Sequence, residues 1–127
     1  MIILDANVLI GFLDANDPHH HATMNLLERR FVDGFGASVL TVAEALVHPT
    51  RVGRQDEVMA SLARIGVQLI ALEASDAVAL AGVRNEYRLR MPDAVALHTA
   101  LHTRSDLASF DDALIAAGER AGVAIAN

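Results

Sequence analysis

Short apolar runs alternate with longer helix-forming segments along the whole chain, and no internal repeat, low-complexity tract or linker rich in Gly, Pro or Ser interrupts them. Runs of this kind are typical of buried strands. Strands that are separated by helices should pair in parallel through right-handed crossovers, with helices on both faces of the sheet. The pattern therefore predicts a three-layer α/β sandwich. The predicted strands are residues 2–4, 36–40, 67–72, 107–109 and 123–125.

Helical patterns fill the intervals between these runs. A helix carries Val8 and Leu13, and a second one begins at an Asp17 cap and stops at Gly34. A short helix over residues 41–47 should end where Pro49 interrupts it. Further helices are predicted over residues 55–65, 75–90, 92–103 and 112–121. At 127 residues the chain is long enough for one core, so we expect a single domain over residues 1–127.

The composition excludes several kinds of site. The chain contains no cysteine, which removes disulfides, thiolate nucleophiles and cysteine-ligated zinc. It contains no lysine either, so Walker-type phosphate binding and lysine Schiff bases are excluded. The apolar N-terminus lacks a basic region, and Asp5 and Asn7 interrupt it well short of a membrane span. We therefore expect a cytoplasmic protein with no membrane segment.

The net charge of −6 argues against a generic nucleic-acid-binding protein, which usually neutralises phosphates with a basic face. Part of this acidity would disappear if several carboxylates held divalent cations. Arginines also cluster locally, at Arg84, Arg88 and Arg90, where they could steer a nucleic-acid backbone. The alternative for these arginines is an ordinary solvated helix face.

Four acids occupy comparable places in the predicted fold. Asp5 directly follows the first strand, Glu44 lies one turn into the helix after the second strand, and Asp111 follows the fourth strand. Asp93 begins the helix that leads into the fourth strand, so it should lie at the same edge of the sheet. All four side chains can therefore converge.

Each acid also has a structural interpretation. Thr41 and Glu44 match a capping box, in which Glu44 would bond to the Thr41 amide. Asp5, Asp93 and Asp111 stand where acids favour a helix N-terminus. Taken together, however, carboxylates a few ångströms apart repel by on the order of 4 kcal/mol per pair near a surface. Oxygen ligands without sulfur suit Mg²⁺ or Mn²⁺, which would relieve this repulsion.

Four segments of the chain resemble the acidic motifs of PIN-domain nucleases: LDANVLI at the start, TVAEAL from Thr41, MPDAVALHTAL from Met91 and LASFDDAL from Leu107. Their order and spacing carry the resemblance, which extends from residue 2 to about residue 125. The segments DANDPHHHA and HPTRVGR are most similar to the VapC-type toxins of bacterial toxin–antitoxin pairs.

The resemblance implies a metal-dependent endoribonuclease on a sheet of strand order 3-2-1-4-5. The family's metal-binding acids match Asp5, Glu44, Asp93 and Asp111, and Mg²⁺ or Mn²⁺ would be the cofactor. It further implies an RNA substrate, a cognate antitoxin that holds the enzyme inactive, and a homodimer.

Three further residues belong to the implied site. Asn7 occupies the polar place two residues after the first Asp, and Ser109 occupies the Ser/Thr place two before the last. Asp112 is a second acid beside Asp111, which leaves the fourth metal ligand open between these two.

Two rival functions remain. An α/β phosphatase would use Asp5 as a phosphorylated nucleophile, but such enzymes need a second Asp where this chain has Asn7, and receiver domains need a lysine. A degenerate PIN domain that only binds RNA or protein would be expected to have lost some of its acids.

The histidines are given ordinary structural roles. The run at residues 19–21 follows the Asp17 cap and is interpreted as surface. His98 and His102 are four residues apart on one helix, as paired metal ligands often are, but the intervening Glu of a metalloprotease is missing. We predict partial burial with a hydrogen bond for this pair.

Overall fold

The computed structural model describes residues 1–127 and contains a parallel sheet of four strands in the order β3-β2-β1-β4. The strands are β1 (Ile2–Leu4), β2 (Phe35–Ser38), β3 (Val67–Ile70) and β4 (Asp106–Ala108). The helices are α1 (Ala6–Leu13), α2 (His20–Arg29), α3 (Val39–Arg51), α4 (Gln55–Arg64), α5 (Asp76–Tyr87), α6 (Met91–Thr103) and α7 (Asp112–Arg120), with a 3-10 turn at Phe31–Asp33.

Helices cover both faces of the sheet, and the side chains of the buried strand β1 alternate between two apolar clusters. Ile2 and Leu4 of β1 belong to one apolar cluster, with residues of α1, α2, α3 and α4. Ile3 belongs to the other cluster, with residues of α6 and α7. The three-layer α/β class predicted from the sequence is therefore confirmed.

The predicted fifth strand is reduced to a single parallel bridge between Ile125 and Leu107. Ahead of it, the Val123 amide donates to the Gly118 carbonyl and Gly122 takes a φ of 81°, so this segment closes the end of α7. Only the last few residues are left to pair with β4. The expected order 3-2-1-4-5 thus holds for four strands and ends in a bridge.

The predicted boundaries of two helices, α2 and α3, were wrong. The Asp17 carboxylate accepts the His19 amide in a turn, and α2 begins only at His20. Helix α3 also runs through Pro49 to Arg51. Because this proline lies in the last turn, one helical hydrogen bond is missing near the end of the helix rather than in the interior.

No helix of the chain is both long and apolar enough to cross a membrane.

Candidate metal centre

Asp5 lies where β1 ends and α1 begins, at the centre of the sheet. Its Oδ1 accepts the Ala6 amide at 2.8 Å as the N-cap of α1, and its Oδ2 accepts the Ser109 hydroxyl at 2.8 Å. The side chain is buried, with 5% of the residue exposed. The pKa of Asp5 is raised to about 6, mainly by burial and also by the charges of Asp93 and Glu44, while the hydrogen bonds from Ser109 and Ala6 lower it.

Asp93 lies in the first turn of α6 and is also buried. Burial raises its pKa; the Arg90 guanidinium, whose Nε lies 3.3 Å from the Asp93 carboxylate, lowers it, and the charge of Asp111 raises it. Two acids from separate elements are thus both destabilised in their ionised forms.

Asp111 caps α7, with its Oδ1 accepting the Leu114 amide at 3.0 Å. Its Oδ2 lies 3.9 Å from the Arg90 guanidinium. Arg90 therefore stands between Asp93 and Asp111. Asp5 and Asp111 can each cap a helix and still face the other acids, because the cap uses only one oxygen of each carboxylate.

Glu44 is exposed on α3, and its charge acts on Asp5. The predicted capping box is wrong, because α3 starts earlier than expected. Ser38 caps it through a hydrogen bond from the Leu40 amide at 3.2 Å, so Thr41 already lies inside the helix. Glu44 has no hydrogen bond or ion pair that would occupy its carboxylate.

The Ser109 hydroxyl connects Asp5 to Asp111. Its hydroxyl accepts the Asp111 amide at 3.0 Å and contacts the Asn7 side-chain amide at 3.5 Å. Asn7 in turn accepts the Phe110 amide at 3.2 Å. Both polar residues singled out from the sequence therefore hold the loop after β4 against the start of α1.

The other candidates are not drawn into this group. Asp112 is exposed in the first turn of α7 and has no hydrogen bond or ion pair. Arg84 and Arg88 are exposed, and Arg88 ends α5 with a φ of 53°. Of the three arginines, only Arg90 touches the acids.

Two further contacts at the site were not predicted. The ring of His19 stacks on Phe110 with centroids 4.3 Å apart, although the histidine run was interpreted as plain surface. The side-chain amide of Asn127 bonds both backbone groups of Ser109. No spacing in the sequence points to either contact, because each joins distant parts of the chain.

The chemistry of these residues suits a divalent cation, although no three of them bring ligand atoms within 4.8 Å of one another. Asp5, Asp93 and Asp111 offer hard oxygen ligands. Glu44 is exposed, and it lies close enough to Asp5 for its charge to raise the Asp5 pKa. Burial, and after it the charges of neighbouring acids, raises the pKa values of Asp5 and Asp93, and a bound cation would stabilise their ionised forms. Oxygen-only ligation favours Mg²⁺ or Mn²⁺ over softer metals.

Comparisons with known proteins identify the family and the fold of this chain. The PIN domain family matches residues 2–119. The structure of FitAcB from Neisseria gonorrhoeae has a TM-score of 0.76 at 19% identity and covers 100% of this chain and 97% of that one. VapBC2 from Rickettsia felis, bound to a promoter DNA fragment, has a TM-score of 0.73 at 15% identity, covering 98% and 97%.

A third structure, of VapC20 from Mycobacterium tuberculosis, has a TM-score of 0.70 at 17% identity and covers 93% of this chain and 95% of that one. A comparison with curated protein sequences finds no match. The family match covers almost the entire chain and includes all four acids of the site. The chain belongs to the PIN domain family.

Proposed function

We propose that this protein is a divalent-metal-dependent endoribonuclease, formed by one PIN domain over residues 1–127, and that it is the toxin of a toxin–antitoxin pair. The observation that carries the proposal is the placement of Asp5, Asp93 and Asp111 at one sheet edge: the Ser109 hydroxyl joins Asp5 to the Asp111 amide, and Arg90 pairs with both Asp93 and Asp111. The VapC20 structure is described as a toxin that cleaves the sarcin–ricin loop, which supports RNA as the substrate class here.

Asp5, Asp93, Asp111 and Glu44 would hold Mg²⁺ or Mn²⁺. When bound, such an ion supplies activation of water and stabilisation of the charge that develops on the attacked phosphate. The chain needs no nucleophile of its own. Ser109 and the α1 N-terminus fix the orientation of the Asp5 carboxylate, and Asn7 fixes the loop that carries Asp111.

Arg90 is the residue that we assign to the RNA backbone. Its side chain is 76% exposed although it pairs with Asp93 and Asp111, so it is free to leave these acids when a cation neutralises them. A guanidinium at this place can then bind a phosphate oxygen beside the cleaved bond. Arg84 and Arg88, which are exposed and do not pair with the acids, would add weaker, longer-range attraction.

The antitoxin would bind a groove that starts at Glu44. The groove has a volume of about 700 Å³ between the α1–α2 connection and helices α3 and α4. Apolar residues line much of it, including Ile10, Leu13, Val47 and Val58. An apolar helix of a partner fits such a surface. The FitAcB and VapBC2 structures, which are similar to this chain in fold, support this part of the proposal. We further propose that the protein is a homodimer and that it is cytoplasmic.

The test uses the purified chain and its Asp93→Asn variant on total bacterial RNA, with Mg²⁺, Mn²⁺ or a chelator, followed by mapping of new 5′ ends. The proposal expects discrete ends that need the metal and the unaltered Asp93. The matched control is Asp56→Asn, which changes an exposed acid in the first turn of α4.

The absence of new ends under every condition, with copurified antitoxin excluded by mass spectrometry, would favour the degenerate binding module. Ends that persist in Asp93→Asn would place the chemistry elsewhere in the chain.

A further inference from the structure

A second group of metal-ligand side chains lies outside the acidic site. His98 and His102 are four residues apart on α6, so their rings lie over one face of the helix. Asp76, the first residue of α5, approaches this face with its Oδ1 2.9 Å from His98 Nε2. The two imidazoles lie near each other, with centroids 5.7 Å apart. One ligand atom from each residue lies within 4.8 Å of the others.

Two of these three side chains are already fixed in place. His98 is buried, with 6% of the residue exposed, in the contact between α5 and α6. The second oxygen of Asp76 accepts the Glu73 amide at 2.7 Å, which holds the carboxylate toward α6. His102 is exposed, so the group opens to solvent on one side. A cation can enter there and can keep water ligands.

The group is separate from the acids. Asp93 and His98 are five residues apart on α6, which places them about 7.5 Å apart along the axis and roughly 140° apart around it. The ligand atoms of the two groups therefore point to different sides of the helix. No hydrogen bond or ion pair joins them.

We propose that Asp76, His98 and His102 form a second cation site, selective for a Zn²⁺-type transition metal. Two imidazoles and one carboxylate are ligands that such ions prefer, whereas Mg²⁺ prefers oxygen. With metal–ligand bonds of about 2.05 Å, neighbouring ligand atoms in a tetrahedral or octahedral shell lie roughly 2.9 to 3.4 Å apart. The 2.9 Å between Asp76 and His98 falls in this range, and the proton of that hydrogen bond would be released to solvent when the ion binds. The exposed His102 ring would rotate to bring its ligand atom, now within 4.8 Å of the others, to the same spacing.

A bound ion would tie α5 to α6. Helix α5 contains no fully buried residue and meets the core through the partly buried Val83 and Tyr87. The ion would add a cross-link at its first residue, Asp76. Because α5 and the following turn lead directly to Arg90 and Asp93, the cross-link would also stabilise the start of α6.

The test measures Zn²⁺ binding by isothermal titration calorimetry to chelator-treated protein without a histidine tag. The Asp93→Asn/Asp111→Asn protein serves as the background, since the acidic site is then disabled. We expect one equivalent of bound Zn²⁺, no comparable binding of Mg²⁺, and a rise in melting temperature with Zn²⁺. Adding His102→Ala should weaken the binding by about tenfold or more, at least as much as the loss of an outer partner of a metal ligand.

His21→Ala in the same background is the matched control, because His21 is an exposed helical histidine outside the group. It should keep the Zn²⁺ equivalent and the thermal shift. Since His102 is exposed, its variant should retain the fold, which far-ultraviolet circular dichroism checks. Absence of a Zn²⁺ equivalent in the background, or equal affinity after His102→Ala, would overturn the proposal and leave Asp76–His98 as a plain hydrogen bond between helices. Neither result depends on nuclease activity.

Discussion

The Ser109 hydroxyl joins the first and last acids of the site: it donates to Asp5 Oδ2 at 2.8 Å and accepts the Asp111 amide at 3.0 Å. Ser109 is fully buried, so water cannot replace these bonds. The relative position of Asp5 and Asp111 therefore depends on the hydroxyl of a third residue, Ser109.

Replacing Ser109 with Ala should destabilise the protein by about 1–3 kcal/mol, because a buried carboxylate oxygen and a buried amide lose their partner. It should also raise the pKa of Asp5 further, since the Ser109 bond lowers it. Cleavage should fall by roughly 10–100-fold, as for loss of an outer partner of a metal ligand. Chemical denaturation and initial rates measure both effects. Ser61→Ala, on the exposed side of α4, is the control and should leave both the stability and the cleavage rate almost unchanged.

Asp111 and Asp112 should differ sharply in their effects. Asp111→Asn keeps a good N-cap for α7, so the fold should remain, while cleavage should fall by about 100-fold or more, as when one preorganised electrostatic group is removed. Asp112→Asn changes an exposed residue without partners and should leave the rate almost unchanged. Rates at saturating Mn²⁺ compare the two variants. Equal losses would mean that both acids hold the ion.

Arg90 competes with the cation for Asp93 and Asp111. Arg90→Gln should therefore tighten Mn²⁺ binding in the absence of RNA, and it should weaken RNA binding and reduce the dependence of that binding on salt. Calorimetry with Mn²⁺ and fluorescence anisotropy with a labelled RNA at two salt concentrations separate the effects. Arg84→Gln, an exposed arginine away from the acids, should not alter Mn²⁺ affinity. Weaker Mn²⁺ binding by Arg90→Gln would contradict this role.

Stability without metal should depend on pH through Asp5. Its pKa rises from 3.8 to about 6 on folding, mainly through burial, so the folded state binds more protons than the unfolded state between these values. The contribution of Asp5 to stability is then greatest at low pH and falls as pH rises through this window, by on the order of 1 kcal/mol between pH 5 and pH 7.

Urea denaturation in a chelator at pH 5, 6 and 7 measures this slope. Asp5→Asn should flatten it relative to the unaltered protein, while Asp56→Asn should not. Saturating Mg²⁺ should also flatten it, since a bound cation holds Asp5 ionised. A slope that is identical in the unaltered protein and in Asp5→Asn would show that other groups cause it.

Local chemistry in the sequence was sufficient to predict much of the fold. Apolar runs at residues 2–4 and 67–72 contain β1 and β3, and the same pattern predicts that Asp5 directly follows β1 and that Asp111 lies in the loop after β4. Convergence of the acids was predictable because the carboxyl ends of parallel strands meet at one edge. The extent of α3 could not be predicted, because Pro49 lies in its last turn, where the tertiary packing of α3 decides whether the helix continues.

The sequence by itself determined which elements exist, on which edge the acids lie, and which chemistry is excluded by the lack of cysteine and lysine. Hydrophobic periodicity and residue type act locally, so they can be recognised in one dimension. Only the tertiary structure decided that Ser109 bonds Asp5, that Arg90 alone of three arginines reaches the acids, and that Asp76 meets His98. Except for the pairing of Arg90 with Asp93, these contacts join residues far apart in the chain, and their geometry depends on how the helices pack on the sheet.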